Sequence, residues 1–455
     1  MAPFPIPDDV MLVLQRLWGA SHAAYVVGGN VRDGLLGRPS TSDALWDMAT
    51  DALPEQTLAL FPGSSYTNRF GTVLAGPAEI TTFRRDHRYG DHRRPDEVTF
   101  SDSLDEDLFR RDFTVNAIAW GRTASAASVG SPGQLVDPTG GRADLEARLL
   151  RAVGDPDQRF DEDALRLVRA ARIAAQVGFT IEPSTLAAMT RHAGDGQYVS
   201  SERLGAELRR MVEATPPSGA FRILAATGLL VTLFPDLAAQ QGVAQDKIPG
   251  HDLWDHSLAT LDAAALLAPS DGRLKVAALL HDTGKPETLA DGHFVGHDTA
   301  GARIATVLLE RAAFPSREID HIRRLIANHM FSYESKGSDA AVRRFMRRIG
   351  MDLMDDLIRL RQADNIGSGN DGDAGDLPEL RARIREQRRA GAPLTIKDLA
   401  VDGHDLRHEL DRPGGPWLGA LLDRMLESVL ADPSRNTVEQ LLADARAWSA
   451  ESTPS

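Results

Sequence analysis

The chain has 455 residues, with 51 Lys and Arg against 65 Asp and Glu, a formal net charge of −14 and no cysteine. The absence of cysteine excludes disulfides, thiolate chemistry and Cys-ligated zinc, and the acidic balance argues against indiscriminate nucleic-acid binding while leaving room for a local basic surface. No run of about 18 apolar residues exists and the N-terminus has no basic patch followed by an apolar core, so the expectation is a cytoplasmic protein of roughly three domains' length, without a membrane span or signal peptide.

Residues 9 to 20 alternate as an amphipathic helix feeding an apolar run at Val26 and Val27. That run stops at Gly28 and Gly29 and passes into a segment carrying Arg32, Asp33, Leu35 and Leu36, which reads as strand, tight turn and helix start. Backbone N–H groups at such a turn can face a phosphate, with Arg32 as a fixed cation; a plain strand-to-helix turn has the same pattern. Asp43 and Asp47 follow, flanking Trp46, as a candidate metal-binding strand edge. A short helix at 54–61 and strand-like runs at 70–75 and 79–83 suggest a small mixed α/β unit.

In LFRRDFTVNAIAW, Arg111 and Asp112 stand beside an alternating run, a pattern that also suits an edge-strand ion pair. The chain turns helical at FDEDALRLVRAARIAAQVGF, where i, i+3 and i, i+4 spacing places Glu162, Asp163 and Arg166 on one helical face. A second helix, SSERLGAELRRM, begins at a Ser cap, Ser200 or Ser201. From HDLWDHS through LKVAALLHDTGKP the pattern is wholly helical, with apolar stripes around His256, His281 and Asp282. SGSGNDGDAGDL reads as an acidic linker before a charged helix, RARIREQRRA, and a helical tail.

GGNVRDGLLGR followed by WDMATDALPEQ resembles the opening motif of the class II tRNA nucleotidyltransferases, the family of CCA-adding enzymes and bacterial poly(A) polymerases. The resemblance implies an α+β protein. A small mixed, polymerase-beta-like nucleotidyltransferase head would span 1–152 and a helical nucleotide-reading neck 153–215. An HD-type helical body would span 216–370 and a helical, tRNA-binding tail 371–455. In the family the glycines and the following Arg-Asp hold a triphosphate and a DxD pair holds Mg2+. Here Asp47 takes the second place of that pair, while the first, position 45, is Leu45. Residues two apart on a strand share a face about 7 Å apart, so Asp43 reaches a shared ion only through a bulge or loop. Loss of one metal ligand, with weak or absent transferase activity, stays open.

The same resemblance implies further roles. Glu79 in EITTFR is a candidate third carboxylate, since hard cations take oxygen ligands from several acids. YGDHRRPDEVTF, with Asp91, Arg94 and Pro95, is similar to the flexible loop that helps relatives accept ATP. Arg111, Asp112 and Asn116 would contact the sugar and phosphates, with Asp112 and Asn116 separating NTP from dNTP. Glu162, Asp163 and Arg166 match an EDxxR motif that hydrogen-bonds the Watson–Crick edge of the incoming base, and Arg169 is the next nucleotide-binding candidate. An acceptor carboxylate beside a donor guanidinium answers both cytosine and adenine.

His281-Asp282, followed by Thr-Gly-Lys-Pro, resembles the HD phosphohydrolases; carried over, the metal ligands are His256, His281, Asp282 and Asp364. His297 and His329 match positions that take a second metal or the substrate phosphate in some relatives. Two imidazoles and two carboxylates leave the metal open among Mg, Mn, Ni and Zn. The implied activity is addition of C and A from CTP and ATP to the tRNA 3′ end without a template, joined to a phosphohydrolase. A-only, CC-only or poly(A) addition remains an alternative, as does an HD hydrolase that uses a silent head to bind RNA.

Overall fold

The computed structural model describes residues 2–38, 45–68, 71–87, 97–124 and 133–451. The chain divides into two compact units, one running to Ala238 with Arg311–Ala313 added, the other formed by Ala239–Glu310 and the chain from Phe314 onward.

The first unit opens with helix Asp8–Gly19 and then builds a mixed sheet. Its strands are β1 (Ala24–Val27), β2 (Trp46–Thr50), β3 (Ser65–Asn68), β4 (Thr72–Ala75) and β5 (Ala78–Thr82), followed by a separate hairpin of β6 (Arg84–His87) and β7 (Glu97–Phe100), then β8 (Ala119–Arg122) and β9 (Gln134–Val136). Among the described residues the main sheet has seven strands in the order β3-β4-β5-β2-β1-β8-β9. Within that sheet only β2 and β5 run parallel, and the helix Pro54–Leu60 lies in the crossover that a parallel pair requires. β1 is buried on both faces, as expected of the continuous apolar run Ala24-Tyr25-Val26-Val27. Tyr25 and Val27 pack with Ala49, Phe83, Leu108 and Val153 in one core beneath the sheet.

Helices then take over. Pro156–Glu162, Leu165–Val177 and Ser201–Met211 belong to the first unit. The face expected to unite Glu162, Asp163 and Arg166 does not exist, because the first of these helices ends at Glu162. Asp163 is extended, with φ −150° and ψ 104°, and the next helix starts at Leu165. The Asp163 carboxylate accepts from the Leu165 backbone N–H, a bond that favours the break over a continuous helix.

The second unit is helical among its described residues. The acidic stretch after Gly367 is no linker: Asn365 donates to the carbonyls of Gly372 and Ala374, and Asp373 accepts from Gln362 and Arg381. The helix Pro416–Ala431 buries Met425 and Leu426, while buried Arg343 donates to the carbonyls of Leu430 and Ala431 at its C-terminal end, where such groups lack intrahelical partners. Among the described residues no helix is long and apolar enough to cross a membrane.

Candidate active site

In β2 the burial pattern singles out Asp47, the one exposed position in an otherwise buried strand. Its register partner on parallel β5 is Glu79, so the two carboxylates leave the same face of adjacent strands about 4.8 Å apart at the backbone. Burial first, and the neighbouring Asp47 charge second, push the Glu79 carboxyl up. Asp47 is also pushed up by the dense protein around it, against the pull of Arg111. Two acids whose ionised forms are disfavoured by their surroundings and by each other form a site that a divalent cation would relieve.

Gly28 ends β1 beside them with φ +76°. A Cβ there would stand 3.0 Å from Asp47 Oδ2 and 3.5 Å from Arg111 Nη1, so the missing side chain leaves a cleft with a carboxylate on one wall and a guanidinium on the other. Arg111 is aimed by Asp107, a buried acid that accepts from its Nη2 at 3.0 Å and also binds Arg110. Its buried Nε has no hydrogen-bond partner among the described residues, an unspent donor beside the cleft. Arg32, one turn into the helix Gly29–Leu35, is buried and held by both oxygens of Asp33 and by Asn116 Oδ1.

That contact begins a chain of bonds from sheet to neck. Asn116 donates to Asp112 Oδ1 at 3.1 Å, and Arg169 donates to Asp112 Oδ2 from Nε at 2.7 Å. Burial alone would raise the Asp112 carboxyl, but Arg169 and the Asn116 bond outweigh it and hold the group well below its usual range. Because the folded pKa is depressed, the stability it contributes is present above the unfolded value of about 4 and is lost as pH falls from there towards the folded value. Asp112→Asn should therefore cost about 2 kcal/mol at pH 7, less than a fully buried pair because Arg169 is 31 % exposed. Denaturant melts between pH 7 and 3 should show the gap to wild type closing on acidification; a constant gap would remove Asp112 as its source.

Asp163 forms a two-bond pair with Arg203, at 2.9 and 2.6 Å; Oδ1 also accepts from the Leu165 backbone N–H, while Oδ2 keeps a further acceptor site. Arg166 donates to Glu162 and to the carbonyls of Arg159 and Arg110, which fixes it across the junction of head and neck. Glu207 and Arg172 form a buried ion pair behind them. Ser200 stands at the N-cap of Ser201–Met211 without making the cap bond.

The first unit thus sets Asp47 and Glu79 beside Gly28 and Arg111, places Gly29 next to Arg32, and links Arg32, Asn116, Asp112 and Arg169 by hydrogen bonds; Arg166 reaches the Arg110 carbonyl and pairs with Glu162, while Asp163 pairs with Arg203. Asp43 lies outside the described residues, as do Asp91, Arg94 and Pro95. Leu45 is 47 % exposed just before β2, and among the described residues no third ligand gathers at Asp47 and Glu79.

The second unit holds a sharper cluster. His256, on Leu253–Leu267, places Nε2 3.2 Å from His281 Nε2, 3.3 Å from Asp282 Oδ2 and 3.3 Å from Asp364 Oδ1. On the other side of the same carboxylate, Asp282 Oδ1 lies 3.5 Å from His297 Nε2 and 3.6 Å from His329 Nε2. His281, His297 and His329 each bond Nδ1 to the carbonyl three residues back, on Ala278, Phe294 and Ile326, and His256 bonds Gly367. Those bonds leave all four Nε2 lone pairs turned inward, the tautomer a metal ligand needs. Nε2 of His297 and of His329 is buried without a hydrogen-bond partner. The Gly in HDTG allows this closeness, since a Cβ on Gly284 would meet the His297 carbonyl at 2.2 Å.

Two lysines at this centre were given no role from the sequence. Lys285 Nζ stands 2.6 Å from Asp282 Oδ2, and Lys247 Nζ 3.4 Å from Asp364 Oδ1. Lys285 was findable from its place in HDTGKP; Lys247, 117 residues from its partner, was not.

Known families match successive parts of the chain. A poly A polymerase head domain model matches residues 24–151 and an HD domain model 253–367. A model described as "Probable RNA and SrmB- binding site of polymerase A" matches 178–241, and a tRNA nucleotidyltransferase domain 2 model 314–445. The CCA-adding enzyme of Geobacillus stearothermophilus is 32 % identical over 442 residues, 96 % of either chain. The crystal structure of the Bacillus stearothermophilus CCA-adding enzyme in complex with CTP superposes with a TM-score of 0.68 at 26 % identity, over 98 % of each chain. The Thermotoga maritima CCA-adding enzyme complexed with tRNA shares the fold, with a TM-score of 0.57 at 19 % identity over 98 % of this chain and 96 % of that one. With a relative 32 % identical along 96 % of either chain and a head-domain model matched at 24–151, the chain belongs to the family of CCA-adding enzymes.

Proposed function

We propose that the protein adds C and A residues to the 3′ end of tRNA, taking CTP and ATP without a nucleic-acid template, in the cytoplasm. The observation that carries this is the register of Asp47 and Glu79 over the cleft at Gly28, inside a chain related along its whole length to enzymes named for that reaction. In this reading Asp47 and Glu79, with Asp43, would hold Mg2+, which would supply charge neutralisation at the phosphates, and the tRNA 3′-hydroxyl attacks the α-phosphorus as pyrophosphate leaves. Gly28 and Gly29 leave room for the triphosphate and Arg32 and Arg111 bind it. Asp112 and Asn116 face the ribose, and Arg169 keeps Asp112 charged. Asp163 accepts from the amino group of the base, Arg166 donates to the acceptor beside it, and Glu162 and Arg203 fix the pair.

The reading assigns the head to 1–152, the neck to 153–215, the body to 216–370 and the tail to 371–455, with the tail contacting tRNA by shape and phosphate. The body's donor set of imidazoles and carboxylates fits a divalent ion at His256, His281, Asp282 and Asp364, and a second at Asp282, His297 and His329. Such ions supply a nucleophilic water for phosphoester hydrolysis. Lys247 and Lys285 would bind the phosphate, and 2′,3′-cyclic phosphates or phosphate ends of RNA are the fitting substrates.

One gel tests the transferase: purified protein, magnesium, labelled CTP or ATP, and tRNAs ending before C, CC or CCA. Stepwise completion of CCA is expected. Incorporation of A alone or C alone would narrow the activity, and none at all would overturn it.

A further inference from the structure

The second unit contains a cavity of roughly 450 Å³ that neither the transferase cleft nor the histidine cluster uses. Phe331, Tyr333 and Phe345 form its aromatic wall, with the Phe331 and Phe345 ring centroids 5.1 Å apart at 44°. The helix Asp339–Ile349 carries Arg344, Arg347 and Arg348 on successive turns. Arg344 and Arg347 are spent on Glu427 and Asp423, whereas Arg348 lies exposed over the Phe345 ring at 5.6 Å with no ion pair among the described residues. Glu334 and Ser338 add acceptor oxygens at the same lining. The wall is braced from behind, because Arg361 lies 4.9 Å over Phe331, donates to its carbonyl and reaches to 3.7 Å from the metal-cluster acid Asp364.

A ligand matching these groups needs a flat π-face, an anion and an amino donor together, which is a nucleoside phosphate. An aliphatic ligand would leave Arg348 and Glu334 unanswered, and a bare phosphate would not need three rings. We infer that this cavity receives one unstacked nucleotide of the RNA substrate, its base against Phe345 and its phosphate on Arg348. The inference rests on the reading of the protein as a tRNA-binding transferase.

Binding of full-length tRNA, of CMP and of AMP is measured by fluorescence for wild type, Arg348→Glu and Phe345→Leu, with thermal melting as the check on folding. Both variants should melt near wild type and bind tRNA about tenfold more weakly, while free CMP and AMP bind all three proteins equally poorly. Weakening by Arg348→Glu alone would mean a phosphate-attracting surface and overturn the base pocket. Unchanged tRNA affinity in both variants would overturn it as well, and tight CMP or AMP binding lost in Arg348→Glu would reassign it to a free nucleotide. Wild-type incorporation of CTP and ATP is scored separately, so failure of the transferase reading is distinguishable from failure of the pocket.

Discussion

Asp47→Ala should lower nucleotide incorporation by at least about 10³-fold, the scale expected when a ligand to the ion stabilising a transferred phosphate is lost. The effect should be larger than in a site with a full complement of acids. Position 45, two residues before Asp47, carries Leu45 just outside β2, so in the proposed site Asp47 and Glu79 are the described carboxylates that would hold the ion. The fold should survive, because Asp47 is the one exposed position of β2 and the buried residues of the strand are left unchanged. The reciprocal change is sharper still. Leu45→Asp removes an exposed apolar side chain and restores a second oxygen donor, so incorporation at limiting magnesium should rise about tenfold or more. A silent Leu45→Asp with unchanged magnesium dependence would show that another group, Asp43 first, already fills that place.

Asp282→Asn should all but abolish metal binding by the second unit, with affinity falling more than about 100-fold, since Asp282 is the carboxylate that faces both groups of imidazoles. Burial works against the charge of this carboxylate, but His281 and its neighbours outweigh it and hold it far below its usual range, so it is the anchor for positive charge there. Metal content after dialysis, by elemental analysis, reads this directly. CTP incorporation should be unaffected, because Asp47 and Glu79 belong to the other compact unit. Retained metal at wild-type stoichiometry in Asp282→Asn would remove this residue from the ligand set.

What the sequence made legible was local. Three of the four clustered histidines, His281, His297 and His329, are oriented by carbonyls three residues back, and the strand-glycine-helix turn at Gly28 is written in consecutive residues. A small mixed unit and the helical segments after it were readable from hydrophobic period, whereas the α+β class with its head and helical remainder came from the family resemblance. What stayed hidden was pairing over distance: Asp163 with Arg203 across 40 residues, Arg172 with Glu207 across 35, Lys247 with Asp364 across 117. The helical spacing of Glu162, Asp163 and Arg166 misled for the same reason. Periodicity sees only i, i+3 and i, i+4 neighbours, while Asp163 is committed to a distant arginine and to the backbone of the next helix. The apparent linker after Gly367 is ordered by side-chain bonds that composition cannot show.

The account turns on whether the cleft between Asp47, Glu79 and Gly28 gathers a divalent ion beside a triphosphate. Crystals soaked with CTP and manganese, with anomalous scattering recorded for the metal, decide it. The prediction is a manganese peak touching the Asp47 and Glu79 carboxylates with the triphosphate over Gly28 and Gly29. A cleft with CTP absent and no metal at Asp47 would contradict it.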